Sequence, residues 1–534
     1  CEITQKSIHL SLSKLQYKNK MSKACFLWVD DEMELLMPYV LFLKEKGYVT
    51  EFAGNGHDAL EMCRSRVYDI IFLDEHMPGL SGLETLERLD RVAPHVPVVM
   101  VTKSEDEGIM NQAIGKKIAD YLIKPVNPHQ VLLSIKKLLE KKELVVEDAA
   151  MRYQGELAQL DRKISEAYTA NDWKSMYNEL VYWELELEAS RHPALEMLVA
   201  QKVEANLRFA RFIRENYEQW IYDVAERPVM SPDIFKTYLF PMFDRGEKIF
   251  FILIDNFRLD QWRAIKDLLR DTFSCSEALY FSILPTATPY ARNSLFSGLM
   301  PAQLSEKYPD LWIDESEDEG KNRMEEEYIR YHLHRSGRRV SFTYSKLSSN
   351  QEGTRLLSRF SELEDKDLNI MVFNFMDNLS HTRTESKMLK ELVVDEAAYR
   401  SITRSWFLRS PLIPLLKKIA DRGHKVIITT DHGAIRVKRG VKVIGDKETN
   451  HNLRYKLGRN LAYDPKQVYA IHHPKNVQLP APNVSSRYIF AQNSDFLVYP
   501  NQFNQYISYY ENSFQHGGIS LEEMIIPFVT LTAK

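Results

Sequence analysis

Short apolar runs that end abruptly in an acidic residue recur along the chain, and they limit the fold more than any other feature of the sequence. Cys25 to Val29 leads into Asp30, and Val426 to Thr430 leads into Asp431. Such runs are typical of buried strands, and segments with helical spacing separate them. The alternation predicts an α/β architecture with parallel sheets, in which strand ends deliver polar side chains to one edge.

Length and composition narrow the class of protein. At about 150 residues per domain, the chain predicts roughly three or four folding units. The formal net charge of −4 excludes bulk attraction to nucleic acid, so a polyanion would need a local patch. The four cysteines lie far apart with no CxxC pair, which argues against a disulfide framework or a thiolate metal site. A reducing cytoplasm is therefore expected.

Targeting signals are absent from the sequence pattern. No apolar run reaches the roughly 18 to 20 residues that span a bilayer, so no membrane insertion is expected. Residues 1–22 lack the apolar centre of a signal peptide, and Met21 has the character of a natural start. We expect an extension or a disordered start over residues 1–22.

Residues 23–143 show a repeating βα pattern whose strand ends carry one set of polar groups. The strands predicted at 25–29, 69–73, 96–101 and 121–123 lead to the following residues: Asp30, Asp31, Asp74, Thr102 and Lys124. Carboxylates hold Mg²⁺, the ion and Lys124 neutralise an incoming phosphoryl group, and Asp74 can act as the nucleophile. Helix caps and surface charge explain each residue singly, but not the ordered set.

This segment resembles the CheY-like receiver domains of two-component response regulators. The motifs that match are Val-Asp-Asp-Glu at 29–32, Leu-Asp-Glu-His-Met-Pro-Gly at 73–79, Thr102, and Tyr-Leu-Ile-Lys-Pro at 121–125. The resemblance implies phosphorylation of Asp74 by a sensor histidine kinase, with Mg²⁺ as cofactor. It also implies Tyr121 as the aromatic that swings inward, a cis peptide before Pro125, and a homodimer on phosphorylation.

Residues 144–245 change to long helical spacing without strands, which predicts a bundle of three or more helices and a linker. Asn171-Asp172 and His192-Pro193 mark the breaks between helices. The aromatic residues favour core packing over a ligand cleft or a partner surface; they are Trp173, Tyr177, Tyr182 and Trp183. A bundle between two other domains could transmit phosphorylation state, a hypothesis that rests on chain order alone.

Residues 246–534 place possible metal ligands after several apolar runs: Asp255, Thr288, Asp377, His381, Asp431, His432 and His516. These oxygen and nitrogen donors suit two divalent ions, and the three histidines favour Zn²⁺, with Mn²⁺ as the alternative. Thr288-Pro289 predicts a helix start, with Thr288 at the cap. There the threonine hydroxyl is either a cap or a nucleophile toward phosphate.

In these residues and their order, the segment resembles the alkaline phosphatase superfamily and its PglZ-type domains. The resemblance implies that Asp255, Thr288, Asp431 and His432 hold one metal, and that Asp377, His381 and His516 hold the other. The nucleotide pyrophosphatase and phosphodiesterase branch has a similar Pro-Thr-x-Thr approach. Pro289-Tyr290 departs from that branch, which places the wall of the substrate pocket in doubt but not the metal ligands.

Substrate contacts are predicted from charge and aromatic residues near these ligands: Tyr290, Arg292, Asn293, Arg454 and Tyr455. Arg292 could face the dianion of a phosphomonoester. The basic segment from Arg436 to Arg459 could follow a nucleotide backbone, while a solvated charged face is the alternative. The charge run Asp314 to Glu327 predicts a solvated loop leading into a helix.

The domain order resembles PorX-type response regulators, which implies a receiver at 23–143, a helical bundle and linker at 144–245, and a PglZ domain at 246–534. The predicted fold class is multidomain α/β: a doubly wound parallel-sheet receiver, an all-α bundle and a large alkaline-phosphatase-like domain. The implied function is a phosphodiesterase output for short or cyclic oligonucleotides, linked to type IX secretion. The alternatives are a phosphomonoesterase, or a non-enzymatic regulator that binds a sigma factor or a secretion component.

Overall fold

The computed structural model describes residues 24–32, 36–94, 96–103, 118–189, 194–313, 323–446 and 449–534. The chain divides between Ala149 and Ala150 into two compact units. Residues 150–245 and 246–534 belong to the second unit together, so the boundary proposed between them remains a prediction. The expected extension at 1–22 lies outside the described residues.

The first unit contains a five-stranded parallel sheet with the order β2-β1-β3-β4-β5. Its strands are β1 Cys25–Val29, β2 Val49–Ala53, β3 Ile70–Asp74, β4 Val98–Thr102 and β5 Asp120–Ile123. Its helices are α1 Met37–Glu45, α2 Gly56–Ser65, α3 Gly82–Val92 and the start of α4 Pro128–Ser165. Helix α3 begins after Ser81 because Ser81 and Glu84 form a capping box. The predicted doubly wound fold is confirmed.

Strand β2 was not predicted from the sequence. It lies at the sheet edge and includes Thr50 and Glu51, so its residues are mostly half-exposed. An edge strand needs no continuous apolar run, because only part of its surface is covered. The central strand β3 is buried at every position, and its apolar run was visible in the sequence.

Three long helices form the middle of the chain: α4, α5 Ala170–Ala189 and α6 Leu195–Tyr222. Trp173, Tyr177 and Trp183 are buried, as core packing requires, whereas Tyr182 is 43% exposed. The predicted break at Asn171-Asp172 lies just inside α5, where Thr169 and Asp172 cap the helix start. The predicted break at 192–193 lies outside the described residues.

The second unit is built on a six-stranded sheet with the order β7-β18-β10-β6-β9-β8. The strands are β6 Ile249–Ile254, β7 Phe273–Phe281, β8 Phe342–Leu347, β9 Leu368–Phe373, β10 Lys425–Thr429 and β18 Ile525–Ala533. Strands β10, β6, β9 and β8 are parallel, while β18 is antiparallel to both of its neighbours. Every residue of β6 is buried, so each large apolar side chain in it contributes roughly 1.5–3 kcal/mol.

Helices cover this sheet and connect its strands: α7 Phe240–Asp244, α8 Leu259–Ile265, α9 Thr288–Ser297, α10 Pro301–Lys307, α11 Glu325–Arg335, α12 Asn350–Ser358, α13 Phe360–Glu364, α14 Phe375–Glu385, α15 Lys387–Leu392, α16 Glu396–Arg409, α17 Leu412–Asp421, α18 Phe503–Tyr510 and α19 Leu521–Met524. Shorter strands form three small sheets: β11 Ile435–Arg436 with β17 Phe514–Gln515, β12 Arg439–Lys442 with β16 Asp495–Val498, and β13 Tyr455–Gly458, β15 Arg487–Ala491 and β14 Val468–Ile471 in that order. None of the helices in the described ranges is long and apolar enough to cross a membrane.

Candidate functional site

The first unit gathers an acidic pocket at the carboxyl edge of its sheet. Oxygen atoms of Asp30, Asp31 and Asp74 lie within 4.8 Å of one another. The Lys124 Nζ atom lies 2.6 Å from Asp30 Oδ2 and 2.9 Å from Asp74 Oδ2. Burial raises the pKa of Asp74, although Lys124 opposes this effect. A set of hard carboxylate oxygens suits Mg²⁺.

Three further residues named in the sequence analysis lie on or directly after β4 and β5. Thr102 is buried at the end of β4, and its Oγ1 atom lies 3.5 Å from His76 Nδ1. Tyr121 is half-buried on β5. The Lys124–Pro125 peptide is cis, which confirms the expectation for that bond. The pocket therefore brings together three acids and a lysine from three strand ends, and Thr102 ends the strand next to β3.

The second unit brings its candidate ligands to the carboxyl edge of the parallel strands. Asp255 follows β6, and Asp431 and His432 follow β10 after Thr430. Asp377 and His381 lie on α14, one helical turn apart, so both side chains can face the same point. His516 follows β17. The structure thus collects the predicted ligands into two neighbouring groups.

The first group consists of Asp255, Asp431 and His432, whose ligand atoms lie within 4.8 Å of one another. Thr288 adjoins this group, because its Oγ1 atom lies 3.1 Å from His432 Nε2 and 3.5 Å from Asp255 Oδ1. Thr288 is the first residue of α9, and Ala287 occupies the cap position. The predicted cap position is therefore wrong by one residue. The Thr288 side chain makes no capping bond and faces the ligand group instead.

The second group consists of Asp377, His381 and His516. Asp377 Oδ1 lies 3.4 Å from His516 Nε2, and Asp377 Oδ2 lies 3.5 Å from His381 Nε2. The His432 and His516 rings stack with centroids 4.2 Å apart, so the two groups adjoin. His381 lies where the site opens to solvent, since its side chain is 63% exposed.

Backbone carbonyls orient the buried His432 and the half-buried His516. His432 Nδ1 lies 3.2 Å from Gly433 O, and His516 Nδ1 lies 3.2 Å from Thr286 O. A carbonyl only accepts, so each Nδ1 carries a hydrogen, and the Nε2 atom of each ring faces its ligand group. Burial lowers the pKa of His432 to about 3, which keeps it neutral. Burial also lowers the pKa of His516, but Asp377 outweighs burial and raises it overall.

The Arg292 guanidinium forms ion pairs with both carboxylates of the first group, Asp255 and Asp431. Its Nη2 atom lies 2.5 Å from Asp255 Oδ2, its Nε atom 3.0 Å from Asp431 Oδ2, and its Nη1 atom 3.3 Å from Glu325 Oε1. The Arg292 side chain has no exposed surface. Burial and the neighbouring Asp431 and Asp377 carboxylates raise the pKa of Asp255 to about 7, against the opposing effect of Arg292. The structure therefore contradicts the expected contact of Arg292 with a substrate.

The other expected substrate contacts are also buried. Arg454 donates to both oxygens of Glu523 and to the Asp495 carbonyl, and its side chain has no exposed surface. Tyr290, Asn293 and Tyr455 are 1%, 3% and 3% exposed, and the two tyrosine rings contact each other edge to face. These four side chains are thus packed inside the domain in this arrangement, and their contact with a substrate remains a prediction.

The basic segment from Arg436 to Arg459 does not form one solvated face. Lys456 is buried like Arg454, and Arg439 pairs with Asp495. The segment includes Lys447, which lies outside the described residues. Charge density in the sequence therefore overstated the number of cations that can meet a polyanion.

Two polar residues near the ligands were not identified from the sequence. Asn256 has a left-handed backbone with φ of 59°, and its amide donates to Asp377 and to Ser380. An asparagine directly after a strand-ending aspartate was the available signal, since asparagine tolerates this conformation. Glu325 is 1% exposed, although it belongs to the charge run predicted to be solvated. Residues 314–322 of that run lie outside the described residues.

Both metal groups fit divalent ions by their donors. Each combines carboxylate oxygen with imidazole nitrogen, and no thiolate takes part. The grouping agrees with the assignment of ligands to two ions that the sequence implied. The roles of the individual residues remain predictions.

Comparison with protein-family models divides the chain into three matches. A response regulator receiver domain matches residues 26–154, and a PorX response regulator linker domain matches residues 143–221. The BREX system PglZ alkaline phosphatase-like domain matches residues 234–531, which is more than half of the chain. The sequence and the fold thus agree with the domain order of a PorX-type regulator.

Individual relatives match over shorter lengths. The transcriptional regulatory protein ResD of Bacillus subtilis is 32% identical over 115 residues, which cover 22% of this chain and 48% of ResD. The alginate biosynthesis transcriptional regulatory protein AlgB of Pseudomonas syringae pv. tomato is 34% identical over 118 residues, 22% of this chain and 26% of AlgB. The chain thus spans about half or less of these curated relatives.

Solved receiver structures are also similar, and one of them illustrates the match. A CheY-like response regulator receiver domain protein from Methanospirillum hungatei is 27% identical and aligns with 22% of this chain and 97% of its own length, at a TM-score of 0.22. By the family match over residues 234–531, the chain belongs to the PglZ family of alkaline phosphatase-like domains, joined here to a response regulator receiver and a PorX linker domain.

Proposed function

We propose that the chain is a two-component response regulator whose PglZ domain is a metal-dependent phosphodiesterase for nucleotide-type substrates. The single observation that carries this proposal is the position of Thr288. Its hydroxyl lies 3.1 Å from His432 Nε2, at the start of α9 and beside the first ligand group. A helix N-terminus favours a phosphate anion, so a phosphate next to this hydroxyl gains from the free backbone amides.

The side chains have distinct roles in the proposed reaction. The Thr288 hydroxyl releases its proton to solvent as its oxygen attacks phosphorus, the bond to the leaving oxygen breaks, and the departing alkoxide takes a proton from water. Water then hydrolyses the phosphothreonine and restores the hydroxyl. In the arrangement without metal, the neutral Nε2 of His432 accepts from the Thr288 hydroxyl. With an ion bound, that lone pair would be one of its ligands instead: Asp255, Thr288, Asp431 and His432 would hold one ion, and Asp377, His381 and His516 the other. Zn²⁺ or Mn²⁺ there would supply charge stabilisation.

A diester substrate is favoured over a monoester because Arg292 is already paired with carboxylates of the protein. A monoester dianion needs an additional cation near the phosphate, and Arg292 was the sequence-based candidate. Its guanidinium is engaged by Asp255, Asp431 and Glu325. A phosphodiester carries one negative charge less, so it requires no such partner.

The test compares three substrates in metal-loaded protein: an aryl phosphodiester, an aryl phosphomonoester and a short oligoribonucleotide. Wild type should cleave the diester and the oligoribonucleotide faster than the monoester. Thr288→Ala should lose about 10³-fold or more in kcat, while Thr288→Ser should keep part of the activity. Thr354→Ala is a matched control, since Thr354 bonds only within α12 at an exposed position.

The outcomes separate the alternatives. Preference for the monoester would favour a phosphomonoesterase. No turnover of any substrate by metal-loaded wild type would refute the enzyme proposal and favour a domain that binds a transcription or secretion partner. A link to type IX secretion is proposed from the domain order alone, and a secretion assay on an Asp74→Asn strain would test it.

A further inference from the structure

The short helix α19 lies between the two segments that carry His432 and His516. The Gly433 amide donates to Glu523 O at 3.2 Å, so α19 contacts the residue directly after His432. A Cβ atom on Gly433 would lie 2.1 Å from Glu522 O, which shows how closely these backbones approach. On the other side, the Gly518 amide donates to Glu523 Oε1 at 2.9 Å. Any displacement of α19 therefore moves both histidine-bearing segments.

A side chain from the middle helices holds α19 in this place. Asn206 of α6 accepts from the Leu521 amide at 2.8 Å through Oδ1 and donates from Nδ2 to Glu522 Oε2 at 3.1 Å. Asn206 is 2% exposed and Glu522 is 6% exposed. The two hydrogen bonds are thus shielded from water, so loss of the Asn206 amide would leave the buried Leu521 amide and a Glu522 oxygen without that partner.

Lys202 extends the same connection to α5. Its Nζ atom lies 3.3 Å from Glu522 Oε1 and 2.7 Å from Glu184 Oε2. Glu184 in turn meets Arg400, which also pairs with Asp260. The Glu522 carboxylate is therefore fixed by a cation on one oxygen and by the Asn206 amide on the other.

We propose that Asn206 is a positioning residue for the metal centre, acting through α19 on the segments that carry His432 and His516. Metal ligands must be held to about 0.5 Å for tight binding, and the residues behind them set this precision. The inference rests on the proposed metal-dependent function and adds that the middle helices are part of the site. It is independent of the substrate.

The experiment measures the affinity of the full chain for Zn²⁺ and Mn²⁺ by competition with a chromophoric chelator. Asn206→Leu keeps the branched shape and the number of side-chain heavy atoms and removes both hydrogen bonds. Its metal affinity should fall about tenfold, which corresponds to about 1.4 kcal/mol. Asn206→Ala removes the same two hydrogen bonds without adding bulk or charge, so its affinity should fall by a similar factor.

The matched control is Arg214→Ala on the same helix. Arg214 donates to Val468 O at 3.0 Å and makes no contact with α19, so this variant should bind metal as wild type does. Urea unfolding of each metal-free variant shows whether it is folded, and Asn206→Ala provides the comparison if Asn206→Leu does not fold. Affinity of either Asn206 variant equal to wild type, or an equal loss in Arg214→Ala, would overturn the inference.

Failure of the proposed function gives a different result. If wild type binds neither ion, the metal-dependent function and the positioning role both fall. If wild type binds metal but hydrolyses no diester, the affinity comparison still decides the role of Asn206. For an active enzyme, kcat of Asn206→Leu should recover as metal concentration rises while KM stays near the wild-type value.

Discussion

Replacing Arg292 with methionine tests the electrostatic argument for the first ligand group most directly. Methionine has a similar length but no charge, so Asp255, Asp431 and Glu325 lose their shared cation. All three side chains are at most 4% exposed, so water cannot replace the lost partner. Removing one member of a buried ion pair typically costs about 3–5 kcal/mol. We expect the metal-free unfolding free energy of Arg292→Met to fall by that amount.

A divalent ion should reduce this deficit. In Arg292→Met the ion replaces the missing positive charge beside Asp255 and Asp431, so its stabilising effect should exceed that in wild type. Urea unfolding followed by tryptophan fluorescence, with chelator and then with Zn²⁺, measures both values. Arg330→Met is the control, because Arg330 pairs with Glu326 and Glu327 at an exposed position. It should change stability by less than about 0.5 kcal/mol.

Two results would contradict the reasoning about Arg292. A metal-free loss below about 1 kcal/mol would mean that the carboxylates are neutralised by protonation or are reached by water. A loss that is unchanged by saturating Zn²⁺ would mean that no ion approaches these carboxylates. In the second case the structural role of Arg292 would stand, while the metal ligand assignment would fail.

Three further predictions concern other parts of the chain. Asp74→Asn should abolish acetyl-phosphate labelling on a phosphate-affinity gel, and light scattering should show dimers of treated wild type only; an unchanged wild-type mass would contradict this. Gly433→Ala should cost about 1–3 kcal/mol or more and weaken metal binding, because the new Cβ would overlap Glu522 O, and wild-type affinity would refute the close packing. Burial lowers the pKa of Lys456 to about 7, so between pH 7 and about 10.4 the unfolded chain binds more protons and stability rises with pH. The unfolding free energy of Lys456→Met minus that of wild type should therefore fall as pH rises across that window, and a constant value would exclude the effect.

The fold class and several candidate ligands could be predicted because each depends on local patterns, whereas the grouping of those ligands followed only from the family resemblance. A buried parallel strand is a continuous apolar run, and its end appears as an abrupt polar residue, as at Asp255 and Asp431. The burial of arginines could not be predicted in this way. Arg454 pairs with Glu523, and Arg292 pairs with Glu325. Each partner is distant in sequence, so the sequence alone suggested that both arginines were available to a substrate. Only the tertiary structure decides whether such a cation meets a substrate or an internal carboxylate.

The position of β18 within the large sheet has a consequence for the order in which the protein can assemble. Residues 525–533 form an interior strand between β7 and β10, yet they follow every other described strand in the sequence. A nascent chain without them has two open strand edges, and such edges pair readily with other chains. The turn that carries His432 follows one of these edges. We therefore expect metal loading to follow synthesis of this strand, and we expect ribosome stalling before it to yield aggregation-prone intermediates.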